Sequence, residues 1–249
     1  MRLICLPSSC SGGVQSHPLA LPAGNQLSLH LASFDANDFD ASAFEVEGIE
    51  FPSEIARSVP KRQAEFFYGR LAARAALRAH GSVERLVPIG DSREPIWPAG
   101  FVGSISHTVG LAGAVVGSED VHVGLGIDIE RTVCGESQLA LRKIALDADE
   151  LERLSGLEGL LSLDELVTLV FSAKESLYKA AYGTVGRFFD FDAARVFGID
   201  ASRGVIELSI AEDLHPAFAR GRVCHVTFVR LDDATFVTAF EARQSRVQT

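Results

Sequence analysis

The nine residues "VGLGIDIER", 123–131, read as a strand: Val123, Leu125, Ile127 and Ile129 recur at every second position, alternating first with Gly124 and Gly126 and then with Asp128 and Glu130. Strand residues two apart share a face, so Asp128 and Glu130 stand about 7 Å apart on one side with like charges that repel. Two readings fit that face. It is the wet side of an antiparallel sheet, or it holds a hard divalent cation such as Mg2+, which takes oxygen ligands from one or two carboxylates and from substrate phosphates. Gly124 and Gly126 favour the second reading slightly, because glycine inside a strand marks the close approach of another backbone or a ligand.

Working outward, "FVGSISHT" (101–108) and "LAGAVVG" (111–117) precede this stretch as two short strands. A tight "SED" turn then predicts that the second of them forms a hairpin with "VHVGLGIDIE". Further upstream, "SVPKRQAEFFYGRLAARAALRAHG" predicts a helix over about 60 to 80, with Ser58 as N-cap, Pro60 in the first turn and Gly81 as the stop. Residues 1 to 50 offer a short strand near "NQLSLHLASF" and loops elsewhere. Downstream, "SQLALRKIALDADELERL" is helical in two pieces, with Asp147 able to cap the second. "SLDELVTLVFSAKESLYKAAYG" is a stronger helix, with a capping box at Ser162 and Glu165 and Gly183 as the stop. On its wheel Leu166, Val167, Val170, Phe171, Leu177, Tyr178 and Ala181 form an apolar stripe. Lys174 falls near the middle of that stripe, Glu175 at its margin and Lys179 just beyond it. A charged group is therefore directed into or beside a buried surface, unless the lysine stem snorkels out. Four alternating segments in the tail, "DFDAARVFGI", "GVIELSIA", "RVCHVTFVRL" and "TFVTAFEA", predict an antiparallel sheet.

At 249 residues and 47% hydrophobic, the chain has ample material for one large or two smaller cores. No run is long enough to span a membrane, and the apolar part of "MRLICLPSSC" is too short for a signal peptide, which predicts a cytoplasmic protein. Cys5, Cys10, Cys134 and Cys224 show no metal or disulfide spacing and read as free thiols. A formal charge of −10 argues against nucleic acid and against an anionic membrane as partners. Yet the segment from Arg57 to Arg93 has eight Lys or Arg against three acids, a local surplus of five that predicts an anion site. Within it Arg62, Arg70, Arg74 and Arg78 lie on one helical row.

The combination of D-x-E on a strand, K-E-S-x-x-K on a helix some 45 residues later, and "GSISHT" before both resembles the 4′-phosphopantetheinyl transferases of the Sfp type. Within them it resembles the branch typified by the enterobactin synthetase D component. "PKRQAEFFYGRLAAR", "REPIWPAGFVGSISH", "GIDIE", "FSAKESLYKA" and "GRFFDF" stand in the family's order. The resemblance implies an α+β fold of two similar halves about a pseudo-twofold axis, 1–119 and 120–249, joined near 118 to 121 and enclosing the cofactor. It implies transfer of the phosphopantetheine arm of coenzyme A to a serine of an apo carrier protein, peptidyl, aryl or acyl, with release of 3′,5′-ADP. Asp128, Glu130 and Glu175 match the family's Mg2+ ligands, and Glu175 its candidate base. Lys179 would neutralise the leaving phosphate, and Lys174 would lie along the arm or pair with a phosphate. Ser106 and His107 match the residues that hold the 3′-phosphate. Lys61, Arg62 and Arg70 match the basic helix segment near the phosphates or adenine, which leaves Arg74 and Arg78 for the carrier. Relatives often show G-K-P where this chain has "REP", so Arg93 supplies the charge one position early. A monomer, built as a pseudo-dimer, is expected.

Two other classes compete. A Mg2+-dependent nuclease or phosphoesterase can use acids near a lysine, but the negative charge and the lack of aromatic residues among the basic row oppose it. A non-catalytic binder of coenzyme A or of a carrier would not need a third acid beside a pyrophosphate.

Overall fold

The computed structural model describes residues 13–22, 24–155 and 161–244, so Cys5 and Cys10 lie outside the described residues. Strands β1 (Val14–Ala20) and β2 (Gln26–Ser33) form a hairpin, followed by two short helices, α1 (Ala43–Glu47) and α2 (Ser53–Ala56). The long helix α3 (Pro60–Ala79) leads to β3 (Phe101–Thr108), β4 (Leu111–Ser118) and β5 (His122–Arg131). Helices α4 (Gly135–Ala145), α5 (Ala148–Ser155) and α6 (Leu163–Val185) come next, and β6 (Ala194–Asp200), β7 (Val205–Ile210), β8 (Val223–Arg230) and β9 (Thr235–Arg243) close the chain. They build two antiparallel sheets, β1-β2-β4-β3 and β5-β9-β8-β7-β6, packed with helices in an α+β fold. Among the described residues no helix is long and apolar enough to cross a membrane.

Helix α3 lays Ala72, Ala73, Ala76 and Leu77 on the first sheet, where small side chains let the helix approach closely. Helix α6 covers one face of the second sheet, with Leu166, Leu169, Val170, Ala173 and Leu177 against Val196, Ile206, Leu208 and Phe236. The other face, which includes Leu125, Ile127, Ile129 and Val237, meets Leu19, Leu27, Leu29 and Leu31 of the β1–β2 hairpin. The alternation read in 123–131 thus has two buried sides. Leu125, Ile127 and Ile129 face the first sheet and the glycines and acids face α6, whereas Val123, at a shift of register between His122 and Gly124, packs with the α6 cluster.

Three local expectations are corrected. The segment 111–117 does not form a hairpin with 122–131: β4 pairs with β3 and β2, whereas β5 pairs with β9. The turn at 119–121 carries the chain from one sheet to the other, and Gln244 closes it by donating its N–H to the Val121 carbonyl at 3.0 Å. Helix α6 passes through Gly183 and ends at Gly186, whose φ of 67° is the left-handed conformation glycine tolerates. Ser58 does not cap α3; Val59 holds that position, and the Ser58 hydroxyl donates to the Ile55 carbonyl at 2.7 Å. The Ser162–Glu165 capping box forms as read, and Asp147 caps α5 by accepting from the Glu150 N–H at 2.8 Å.

Both β3 and β5 are edge strands, and they join the two sheets without a shared ladder. The Ser104 hydroxyl accepts the Ile127 N–H at 3.0 Å, and the Ser106 hydroxyl accepts that of Ile129 at 3.1 Å. Two outward N–H groups that would otherwise be buried unpaired are thereby satisfied.

Candidate active site

The site lies where α6 crosses β5, and glycine makes that crossing possible. A Cβ on Gly124 would stand 1.9 Å from the Ala180 carbonyl oxygen, and one on Gly126 would stand 1.8 Å from that of Ser176. The close approach those glycines signalled is therefore a helix backbone. On the same sheet-facing side α6 is pinned to β9, the neighbour of β5: the Ser172 and Ser176 hydroxyls lie 2.9 and 2.6 Å from Thr238 Oγ1, which donates to the Ser172 carbonyl at 2.8 Å. This anchorage sets Glu175 and Lys179 over the acids of β5.

Asp128 is 4% exposed, so its face is not wet. Its Oδ1 accepts from Lys179 Nζ at 2.7 Å and from the Ser106 hydroxyl at 2.9 Å, while its Oδ2 is buried with no partner. Lys179 also donates to Ser106 Oγ at 3.1 Å and to the Ile127 carbonyl at 3.2 Å. Burial, then the nearby charges of Asp128 and Glu175, push the Glu130 carboxyl up to about 7, against the opposing pull of Lys179. Burial likewise raises Glu175, with Asp128 adding to the shift and Lys179 opposing it. Three carboxylates thus crowd one ammonium, a cation-deficient arrangement.

Among the described residues no three His, Cys, Asp or Glu side chains converge tightly enough to enclose a metal by themselves. The donor set nonetheless suits a hard cation that brings other ligands with it. One carboxylate oxygen is buried without a partner, all the donors are oxygens, and two neighbouring carboxyls are raised chiefly by burial.

Two cavities lie beside this cluster, one lined in part by Lys179 and the other by His107. One, of about 360 Å³ between the sheets, is lined by Arg93, Trp97, Ser104, Ile105, Tyr178, Lys179 and Tyr182 among others. The second, of about 370 Å³ beside α3, includes Arg62, Glu65, Arg70, Arg93 and His107. Arg93, Pro95 and Ile105 line both, so the two cavities adjoin and together form the groove along the join. Arg93 has φ of 70° at the tip of a loop closed by Gly90 N–H to the Glu94 carbonyl at 2.8 Å and Arg93 N–H to the Gly90 carbonyl at 2.9 Å. Such a conformation costs on the order of 1–3 kcal/mol for a non-glycine residue and is a feature of functional sites. Arg62 Nη1 lies 2.8 Å from His107 Nε2. A guanidinium can only donate, so Nε2 accepts and the ring proton sits on Nδ1, which faces Glu65 at 3.7 Å. Burial lowers the His107 pKa below its usual value, which keeps the ring neutral near pH 7. Arg70 stacks over Phe66 at 4.5 Å with a buried, unpartnered Nε, and burial lowers its pKa to about 10.

The structure therefore brings together Asp128, Glu130, Glu175 and Lys179, and at the groove Arg62, Arg70, Arg93 and His107. Lys61 lies outside the groove lining, 3.9 Å from Glu65 on the helix surface. Ser106 is 4% exposed and holds Asp128 and β5, so its hydroxyl is already committed. Lys174 does not reach the groove: its ammonium is buried against Glu150 at 2.8 Å. Arg74 is tied to the carbonyl and carboxylate of Glu47, which removes it from the free row, and Arg78 remains exposed in the last turn of α3. Sequence reading missed Ser104 and Glu65. Ser104 was accessible as the residue two before Ser106 on the same strand face, whereas nothing local to Glu65 announces its histidine partner.

The model of the 4′-phosphopantetheinyl transferase N-terminal domain matches residues 51–117, and that of the 4′-phosphopantetheinyl transferase superfamily matches 124–238. Over 192 residues the chain is 36% identical to enterobactin synthase component D of Salmonella typhi, covering 77% of this chain and 75% of that one. It is 37% identical over 142 residues to the 4′-phosphopantetheinyl transferase PptT of Mycobacterium tuberculosis, covering 57% and 61%. With the 4′-phosphopantetheinyl transferase Svp of Streptomyces mobaraensis it shares 38% over 158 residues, covering 62% and 63%.

Proposed function

The chain belongs to the 4′-phosphopantetheinyl transferase superfamily, and from that premise we propose how its own residues carry the transfer of phosphopantetheine to a carrier protein. In this reading 1–119 and 120–249 act as the two halves of a monomer, with coenzyme A in the groove along the β3–β5 join. The carrier serine oxygen attacks the phosphorus that bears the pantetheine arm. A P–O bond forms to serine, the pyrophosphate linkage breaks, and 3′,5′-ADP leaves with the electron pair.

Asp128 through its unpartnered Oδ2, Glu130 and Glu175 would hold Mg2+, which supplies charge neutralisation on the pyrophosphate and in-line positioning of its oxygens. Glu175 accepts the serine proton, directly or through water, and its raised pKa suits it to that task. Lys179, anchored on Asp128, stands at the cleft to meet the charge that develops on the leaving phosphate. Arg62 and His107 take the 3′-phosphate: the neutral ring donates from Nδ1 or accepts from Arg62, and the guanidinium supplies the charge. Arg93, presented to both cavities, and the half-stacked Arg70 complete the anion site.

The observation that carries this reading is the buried, unpartnered Asp128 Oδ2 beside Lys179, with Glu130 and Glu175 both raised. Its test is to incubate the protein with coenzyme A, Mg2+ and each of a panel of apo peptidyl, aryl and acyl carriers, and to weigh the carriers. A gain of the phosphopantetheine mass that disappears on chelation is expected. Transfer undiminished by chelation would remove the metal from the reading, and no mass gain on any carrier would overturn it.

A further inference from the structure

Lys174 is adjacent in sequence to Glu175, and the family motif suggests a contact with the arm or its phosphate, yet its side chain is only 3% exposed and its partner Glu150 only 2%. The ammonium donates to Glu150 Oε1 at 2.8 Å and to the carbonyl of Ala145, the last residue of α4, at 2.7 Å. Glu150 Oε1 also accepts the Val196 N–H of β6 at 2.6 Å, and its Oε2 accepts the Asp147 N–H at 2.9 Å. One ion pair thus ties the end of α4, the start of α5, the middle of α6 and the start of β6.

A cleft opens beside Glu175 between α6 and the segment 188–194 that leads into β6. The Lys174 stem, Glu175 and Tyr178 of α6 line one side, and Phe188, Phe189, Phe191 and Ala194 line the other. Ala194 is two residues from the N–H that Glu150 holds. The pair is therefore a brace across the cleft that flanks the candidate base.

We propose that Glu150 and Lys174 are positioning residues for the transfer, turning the motif lysine away from the substrate phosphates and fixing the width of the cleft beside Glu175. The proposal rests on the transferase reading. Stability alone does not account for such a pair, because replacing a buried ion pair by apolar groups of similar volume is often neutral or stabilising.

Three variants test it: Glu150→Gln, Lys174→Met, and the double Lys174→Met with Glu150→Leu, which leaves no buried charge. Each is measured for melting temperature, for coenzyme A affinity by calorimetry without carrier, and for kcat per folded molecule at a temperature where the melt shows it fully folded. Expected is a loss in kcat of about tenfold or more, with coenzyme A Kd within about threefold of wild type and the double no worse than the worse single. A Kd weakened about tenfold or more by Lys174→Met alone would show the lysine on a phosphate and overturn the proposal. Wild-type kcat in folded variants would overturn it too, by reducing the pair to a structural one. Should a single variant fail to fold, the double is judged by the same two readouts. Wild-type transfer in the carrier mass assay is scored separately, so failure of the brace and failure of the transferase reading are told apart.

Discussion

Lys179 Nζ lies 2.7 Å from Asp128 Oδ1, so the cation of the K-E-S-x-x-K motif is fastened to the first acid of the D-x-E motif before any substrate arrives. That ammonium neutralises Asp128 and competes with any metal drawn to the same carboxylate. Lys179→Met should therefore lower kcat by about a hundredfold through loss of charge at the leaving phosphate, while strengthening Mg2+ binding to the free enzyme. Calorimetric titration with Mg2+ beside steady-state rates checks both. Weaker Mg2+ binding in the variant would show that Lys179 organises the acids rather than opposing the ion.

The same contact changes what is expected of Asp128. A carboxylate on a wet face could be removed at no cost to the fold, but Asp128 is 4% exposed and receives both Lys179 and Ser106. Asp128→Ala should abolish measurable transfer and also destabilise by about 1–3 kcal/mol, since a buried hydroxyl and a partly buried ammonium lose their acceptor. Chemical denaturation together with the transfer rate is the check. Unchanged stability would mean that Ser106 and Lys179 find water instead.

Glu130 provides a pH signature. Its folded pKa of about 7 lies above the ordinary 4.5, so the folded protein holds a proton that the unfolded chain has released. The stability this adds is fully present below about pH 4.5 and is lost as pH rises through about 7. Glu130→Gln mimics the protonated form. In chelator, the melting temperature of wild type relative to Glu130→Gln should fall between about pH 4.5 and 7 and then level, and Mg2+ should recover the loss above pH 7. A difference that stays flat across that window would mean the carboxyl is not crowded in solution.

Much of this was legible because it depends on local pattern. Period-two alternation in 123–131 and in the tail gave the strands, the Ser162–Glu165 spacing gave the start of α6, and the D-x-E and K-E-S spacing gave the acids. What escaped was pairing across the chain. Alternation does not say which strand is the neighbour: it offers β5 as the partner of β4, which instead lies between β2 and β3, and the turn at 119–121 reads as a hairpin turn rather than a passage between sheets. A wheel shows that Lys174 points into an apolar stripe but not that Glu150, 24 positions earlier, waits there. The resemblance gives Ser106 a phosphate role, and the contacts its hydroxyl makes with β5 and α6 are set by the join of two sheets, which no local pattern shows.

The Arg62–His107 contact of 2.8 Å predicts a cofactor discrimination. Both side chains face the groove that Arg70 and Arg93 also line. If they hold the 3′-phosphate, His107→Ala and Arg62→Ala should each raise KM for coenzyme A about tenfold, and change that for dephospho-coenzyme A, which lacks this phosphate, by less than about twofold. Because the two residues contact each other, the double variant should lose less than the two singles combined. Equal losses on both cofactors would place the pair elsewhere.

The last prediction concerns glycines that look alike in the sequence and differ in the fold. Gly126 sits beneath α6, where an added Cβ would lie 1.8 Å from the Ser176 carbonyl oxygen, a backbone atom that cannot move without the helix. Gly183 lies inside α6, two residues before its end, with nothing within 4 Å of the position its Cβ would take. Gly126→Ala should therefore push α6 off β5, lowering stability by more than about 3 kcal/mol, and should cost transfer even in the folded fraction, because Glu175 and Lys179 ride on the displaced helix. Gly183→Ala adds a methyl group to open space and removes backbone freedom from the unfolded chain, so it should stabilise by about 0.5–1 kcal/mol. Denaturation of both variants side by side decides the matter. A tolerated Gly126→Ala would mean that the α6–β5 contact is looser than the 1.8 Å approach requires, and the placement of Glu175 over Asp128 would no longer follow from it.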